Sequence, residues 1–187
     1  MKLNHIYNSV ERLGDLLKVG ARQAGAEHGL QPVHVEVLHY LSICNQYSDT
    51  PMAVTEYLGL TKGTVSQTLK VLEKKSLLVK TIDENDKRIT HLKLSVSGQQ
   101  LVAALLPTNL FIKACEQLSP QQQSDINSSL KLLLSALLKA NNLKTFGVCK
   151  TCRFNQLTDD GNYFCDLVKQ PLTSDDTQLI CREHEDV

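Results

Sequence analysis

Residues 52–94 read MAVTEYLGLTKGTVSQTLKVLEKKSLLVKTIDENDKRITHLKL. A short helix is expected over 52–58, stopped by Gly59. A second opens at Thr61, a suitable N-cap, and runs over 61–76 with Val65, Leu69 and Leu72 as an inward stripe. From Leu77 the apolar period falls from about 3.6 to about 2. Leu77–Ile82 and Ile89–Leu94 therefore read as two strands joined by the charged turn Asp83–Arg88. Helix, tight turn, helix, hairpin is the order of a winged helix-turn-helix, a fold that lays one helix in the major groove of DNA.

On the N-terminal side, Leu3, Ile6, Val10, Leu13, Leu17, Ala21 and Ala24 recur at spacings of three and four, one face of a helix over 3–27 that Gly29 ends. Pro32 opens the next helix, in the first turn where its missing N–H costs nothing. Val35, Leu38 and Leu41 give that helix a buried stripe, and Ser48–Pro51 forms a loop and cap. Beyond the hairpin, Ser97-Gly98 opens a helix carrying Leu101, Leu105 and Phe111, which Pro107 should kink or break. Ser119-Pro120-Gln121-Gln122 is a helix start of the capping-box type. Ile126, Leu130, Leu133, Leu134, Leu137 and Leu138 follow as a wide apolar face. The expected fold is mainly α with a small β-wing (α+β). A DNA-binding lobe at about 31–96 has no need of long amphipathic helices at both ends. The helices at about 3–27 and 98–142 are therefore expected to meet each other and their copies in a homodimer, whose two-fold axis matches a palindromic DNA site.

The outward face of the 61–76 helix presents Lys62, Thr64, Ser66, Gln67, Lys70 and Lys74. Recognition helices read bases mainly from their first turns, so Lys62, Thr64 and Gln67 are expected at or near base edges. Gln suits adenine, Lys suits guanine or phosphate, and the Thr methyl suits thymine. Lys70 and Lys74 should lie nearer phosphates. Residues 61–80 hold five lysines (62, 70, 74, 75, 80) against one acid, Glu73, a local excess that favours a phosphate-facing surface over an ordinary solvated face. At the turn, Lys87 and Arg88 complete the candidate DNA-binding set. An Arg at a hairpin tip can enter a narrow minor groove, with Asp83 or Asp86 holding its guanidinium by a bidentate pair.

The net charge of zero over 187 residues hides an asymmetry. Residues 1–146 carry 16 Lys/Arg and 12 Asp/Glu, whereas 147–187 carry 4 and 8. Cys44 and Cys115 are scattered in the first part; Cys149, Cys152, Cys165 and Cys181 crowd into the second. This marks a boundary at Thr145–Val148 between a 1–146 winged-helix unit and a 147–187 tail. The spacing C-x2-C-x12-C-x15-C falls in the zinc range, and the energy of closing such a site replaces a core the tail is too small and polar to form. The expected ligands of a Zn2+ ion are Cys149, Cys152, Cys165 and Cys181, with His184, one turn after Cys181, as an alternative fourth ligand. An Fe–S cluster can use the same cysteine count, while disulfides are disfavoured in a reducing compartment. Four thiolates on one Zn2+ add negative charge, so the tail is expected away from the recognition helix, against the dimer helices. Cys44 and Cys115 read as small buried residues or redox thiols. His5, His28, His34, His39 and His91 show no ligand spacing and read as ordinary.

The stretch LGLTKGTVSQTLKVLEKKSLL followed by DENDKRITHLKLSVSGQQL resembles the MarR family of bacterial regulators, in element order over residues 3–140. The D-x-x-D-x-R wing tip (Asp83, Asp86, Arg88) and the Leu-x-x-x-Gly stretch (Leu94–Gly98) fit that family's pattern. Lys87, where the family often has Arg, and the cysteine tail depart from it. The resemblance implies a homodimer on pseudo-palindromic operators that often loosens on binding a small-molecule effector or on cysteine oxidation.

The expected function is therefore a sequence-specific transcriptional regulator of double-stranded DNA, repressing as a homodimer, with a structural zinc site in its tail. Two alternatives stand beside it: a redox or metal sensor whose tail is the switch, and a tail that serves as a protein-interaction module. No nucleophile with a base, phosphate loop or catalytic acid pair is present, so no enzyme is expected. No apolar stretch of about 18 residues occurs and no signal-peptide pattern opens the chain, so the expected location is cytoplasmic, without a membrane partner.

Overall fold

The computed structural model describes residues 2–186; Met1 and Val187, the outer ends of the two expected segments, lie outside the described residues. Seven helices and two small sheets are described: α1 (Lys2–Ala26), α2 (Pro32–Ile43), α3 (Pro51–Leu58), α4 (Lys62–Lys74), β1 (Leu78–Ile82), β2 (Thr90–Leu94), α5 (Val96–Leu105), α6 (Asn109–Glu116), α7 (Pro120–Ala140), then β3 (Asn155–Leu157), β4 (Tyr163–Cys165) and β5 (Gln170–Leu172). Short 3-10 turns at Cys149–Thr151 and Asp176–Gln178 flank the second sheet. Through Leu94 this is a winged helix-turn-helix, with α3 and α4 as the helix pair and the β1–β2 hairpin as the wing.

Local chemistry sets the boundaries. Thr50 caps α3 by accepting the Ala53 N–H at 3.3 Å, and Gly59 ends that helix in the left-handed region at φ 63°. Thr61 caps α4 by accepting the Thr64 N–H at 3.1 Å. In the wing, β1 and β2 pair antiparallel with Leu78 opposite Leu94 and Thr81 opposite His91. Ser95 caps α5 by accepting the Gly98 N–H. At Gly98 the absence of a side chain is required, because a Cβ would run into the carbonyl oxygen of Leu77. The first turn of α5 is thereby seated against the base of the wing. Pro107 falls between α5 and α6, which are separate helices, and Ser119 and Gln122 close a capping box on α7.

The core lies inside the DNA-binding lobe. Val35, Val37, Leu38 and Tyr40 of α2 meet Ala53 and Val54 of α3, Val65, Leu69 and Leu72 of α4, Leu78 and Leu92 of the wing, and Val102 and Leu105 of α5. The flanking helices differ: neither α6 nor α7 holds a buried residue. Leu3, Ile6, Leu13 and Leu17 of α1 stand exposed with Leu110 and Phe111 of α6 and Ile126, Leu130, Leu134 and Leu137 of α7. Only the end of α1, through Ala21 and Ala24, packs on the core.

The tail forms a three-stranded antiparallel sheet in the order β3-β4-β5. Its position corrects the expectation that it would rest on the dimer helices. It docks instead on the end of α2, the loop after it, and α3. Ile180 donates its N–H to the Ile43 carbonyl and accepts the Asn45 N–H, both at 2.9 Å. Phe146, at the joint, belongs to the lobe's core, its ring 5.1 Å from that of Tyr57 and 6.1 Å from that of Tyr40. With α7 the tail makes a long ion pair, Lys139 Nζ to Asp186 at 3.8 Å. The reason is main-chain chemistry: the chain at 43–45 leaves α2 with free backbone groups, and a passing extended segment satisfies them.

Candidate nucleic-acid interface and cysteine cavity

Helix α4 turns Val65, Thr68, Leu69 and Leu72 inward. The period of the helix then sets Lys62, Thr64, Ser66, Gln67, Lys70 and Lys74 outward, and all six are exposed. The Thr64 hydroxyl shares a hydrogen bond with that of Thr61 at 2.9 Å, so its methyl group is the part free to meet a base. The five lysines of 61–80 do not act alike. Lys80 is bound by Glu73 at 2.6 Å, and Lys75 Nζ reaches back to the His28 carbonyl at 3.4 Å. Lys62, Lys70 and Lys74 form no ion pair among the described residues. The cationic field is therefore narrower than the count of lysines suggests and is concentrated on α4 itself.

The wing turn is organised by its two aspartates in different roles. Asp86 grips Arg88, which donates Nε to Oδ1 at 2.9 Å and Nη2 to Oδ2 at 2.7 Å. The Arg88 side chain is 89% exposed, so the pair aims a cation at solvent rather than burying it. Arg88 holds the Asp86 carboxyl below the usual range. Asp83 takes no part in that grip. Its Oδ1 accepts the N–H groups of Asn85 at 2.8 Å and Asp86 at 2.7 Å, and the Asp86 N–H is the largest cause that lowers its pKa. Of the two alternatives for holding Arg88, the geometry assigns Asp86. Lys87 beside it is exposed.

His91, read as ordinary from sequence, joins the wing to the loop before α3. Its Nδ1 lies 2.5 Å from Asp49 Oδ1 and its Nε2 3.1 Å from Asp83 Oδ2. The hydrogen bond it donates to Asp49 is the main reason its pKa is raised. Asp49 is itself shifted up, because its burial outweighs the imidazole's effect. The backbone follows the same path, with the Leu92 N–H donating to the Asp49 carbonyl at 2.7 Å. One signal was legible beforehand: the hairpin register puts Thr81 opposite His91, two residues from Asp83. Asp49, 42 residues away, gave none.

In the tail, Cys149, Cys152, Cys165 and Cys181 line one small cavity of about 20 Å³ together with Asn45 and Tyr47 of the lobe. All four are free thiols. Burial, then the neighbouring Cys181, Cys152 and Cys165, pushes the Cys149 thiol up to about 12. Among the described residues, no group of three or more His, Cys, Asp or Glu side chains is so placed as to hold a metal ion. His184 stands outside this cavity. It is buried, and its Nδ1 and Nε2 each lie 3.0 Å from a threonine hydroxyl, those of Thr145 and Thr151. Both ring nitrogens are thus already engaged, and Cys181 rather than His184 completes the cavity wall. Cys44 is buried in the lobe's core, and burial pushes its thiol up to about 12. A larger hollow, about 1300 Å³, opens between α1, α2, α5 and α6; Leu17, His39, Val102 and Phe111 line it, and the tail adds Thr173 and Leu179.

The helix pair, the wing and the side chains they expose define a class, the winged-helix DNA-binding proteins. The comparisons narrow it. Residues 28–89 match the model of the MarR family. An uncharacterised HTH-type transcriptional regulator of Bacillus subtilis (strain 168), YkoM, is 27% identical over 146 residues, covering 70% of this chain and 92% of that protein. A second from the same organism, YwaE, is 37% identical over 54 residues, covering 29% of this chain; the match spans only 32% of YwaE. Among solved structures, S. aureus MepR in its DNA-binding conformation superposes with a TM-score of 0.60 at 27% identity, covering 70% of this chain and 98% of that one. The S. aureus MepR–DNA complex superposes with a TM-score of 0.56 at 25% identity, covering 70% and 96%. No helix among the described residues is long and apolar enough to cross a membrane.

Proposed function

We propose that this chain is a sequence-specific DNA-binding transcriptional regulator that represses as a homodimer on a pseudo-palindromic operator. The observation that carries the reading is the pairing of an exposed α4 face, Lys62 to Lys74, with a wing-tip Arg88 oriented by Asp86. The helix face supplies base-edge contacts and the Arg supplies a minor-groove or phosphate contact. The exposed apolar faces of α1, α6 and α7 support the dimer, since a monomer rarely leaves so much contiguous apolar surface in water. The hollow beside α1, α2, α5 and α6 supports a small-molecule effector site.

The four cysteines are assigned to one Zn2+ per chain. The four thiols meet on one cavity wall, and their C-x2-C turn with two later cysteines falls in the zinc range. The thiolates would draw in around the ion, and the bound metal would stand in for the core that the tail lacks. The test of the DNA reading is a salt titration of duplex binding. Arg88→Ala should weaken binding across many sequences and lower the salt slope by about one unit. An unchanged slope and affinity would remove the wing from the interface.

A further inference from the structure

Three successive tail residues face three different neighbours. Ile180 completes main-chain pairing with the end of α2, bridging parallel to Cys44 on one side and antiparallel to Val148 on the other. Cys181 lines the cysteine cavity, its own N–H held by the Gly147 carbonyl at 2.9 Å. Arg182 turns to the lobe. Its N–H donates to Ser48 Oγ at 2.8 Å, and its guanidinium grips Glu56 by Nε at 2.6 Å and Nη2 at 2.8 Å. Ser48 is fully buried, and its carbonyl accepts the Tyr40 hydroxyl at 2.7 Å. Glu56 belongs to α3, which packs directly on the recognition helix α4. The cavity also borrows two wall residues, Asn45 and Tyr47, from the lobe. The cysteine site is thus shared between tail and lobe rather than enclosed by the tail.

We propose that a zinc ion in this cavity sets the position of α3, and through it of the recognition helix, with Ile180 and Arg182 as positioning residues for DNA reading. This rests on the zinc assignment above. A cation that draws the four sulfurs together fixes Cys181, and the residues on either side of Cys181 are the ones that hold the lobe. One holds it by backbone pairing, the other by a bidentate ion pair, the form of charge pair with the strictest geometry. When the ion leaves, the segment at 180–182 loses its anchor, because the sheet behind it has few apolar residues to keep its shape. Helix α3 then loses the Arg182 clamp, while the lobe's core, to which the tail adds the partly buried Ile180, stays folded. The protein so built grips its operator with zinc bound and loosens when zinc is withdrawn. Zinc supply is the quantity it reports.

The test uses the full-length protein and a duplex that it has itself selected from a random-sequence pool. Affinity is measured before and after treatment with a zinc chelator, and bound zinc is counted in parallel. One zinc per chain is expected, and its removal should weaken binding about tenfold, within the ordinary range of coupling between sites. Glu56→Gln and Arg182→Gln should each keep their zinc, bind the duplex more weakly by a similar factor, and lose most of the response to chelator. Glu56→Gln removes no positive charge, so a loss there with an unchanged salt slope marks positioning rather than a lost phosphate contact. Zinc that is bound and removed with no change in affinity overturns the coupling and leaves the zinc site standing. Protein that takes up no zinc at all overturns both.

Discussion

The DNA-binding lobe and the cysteine tail solve the same problem with different means. The lobe closes Val35, Leu38, Tyr40, Val54, Leu69, Leu72, Leu78 and Leu92 over one another, and its polar groups mostly decorate that core. The tail has Leu172 as its buried aliphatic residue and otherwise buries Cys149, Cys152, Thr177 and His184. Its three strands are three residues each, short even for a hairpin. A hydrophobic core tolerates the loss of one contact at a cost of a few kcal/mol. A segment that folds around a bound ion, as proposed for the tail, would fail all at once when one ligand is removed. The difference teaches where each part can be switched: the lobe by small, graded changes, the tail by a single event.

The largest expected effect breaks the comparison on the tail side. Cys149→Ser should abolish zinc binding and leave residues 147–186 open to protease while the lobe still melts cooperatively; structural zinc contributes roughly 10–16 kcal/mol in small peptides. Limited proteolysis beside zinc analysis checks it, and a tail that stays protected without metal would remove zinc from the account. On the lobe side, Leu72→Ala, at a fully buried position, should cost about 2–5 kcal/mol. A urea midpoint would show the loss, and zinc content should not move. If zinc were lost in step, the two regions would share one folding unit.

Smaller effects sharpen the contrast within the lobe. Gln67→Ala should cost roughly 1–3 kcal/mol at the cognate site and much less on random DNA. Equal losses on both, in a binding titration, would move Gln67 to a phosphate-positioning role. The smallest effect is on pH. Asp49 and Asp83 raise the folded-state pKa of His91 above its ordinary value near 6.5. A raised histidine contributes stability that is fully present below the unfolded pKa and lost as pH rises through the folded one. The wing should therefore loosen as pH climbs above about 6.5, and His91→Gln should flatten that slope. Denaturation midpoints from below pH 6 to above pH 8 give the comparison; a slope unchanged by the substitution would leave His91 without this role.

What could be read from sequence follows from range. Periodicity and caps are local, so the stripe of Val65, Leu69 and Leu72, the stop at Gly59 and the break at Pro107 were all legible. So were the change of period at Leu77 and the sign change in charge after residue 146. The tail's docking was not, because it depends on backbone pairing of Ile180 with Ile43 and Asn45, which leaves no mark on side-chain identity. Arg182 and Glu56 are 126 residues apart, and one Arg and one Glu among many carry no pairing signal. Charge reasoning pointed the other way, since it weighed the tail's acids against DNA phosphates and not Arg182 against α3. His91 was passed over for a similar reason: its partners are two aspartates, one of them across a loop, and no ligand spacing links the three.

Phe146 has a consequence for anyone who handles this chain as two parts. Composition draws the seam just after it, yet its ring is wedged beside Tyr40 and Tyr57 inside the lobe. A cut placed upstream, where the last long helix ends at Ala140, would pull a stopper out of the upstream part and leave a void of aromatic size. A cut placed after Gly147 would leave the stopper in place, held by nothing behind it. Beside the contacts of Ile180 and Arg182, the tail is tied to the lobe by a residue that composition places on the lobe's side of the border. Grafting it onto another winged helix would therefore require carrying over the socket as well as the thread.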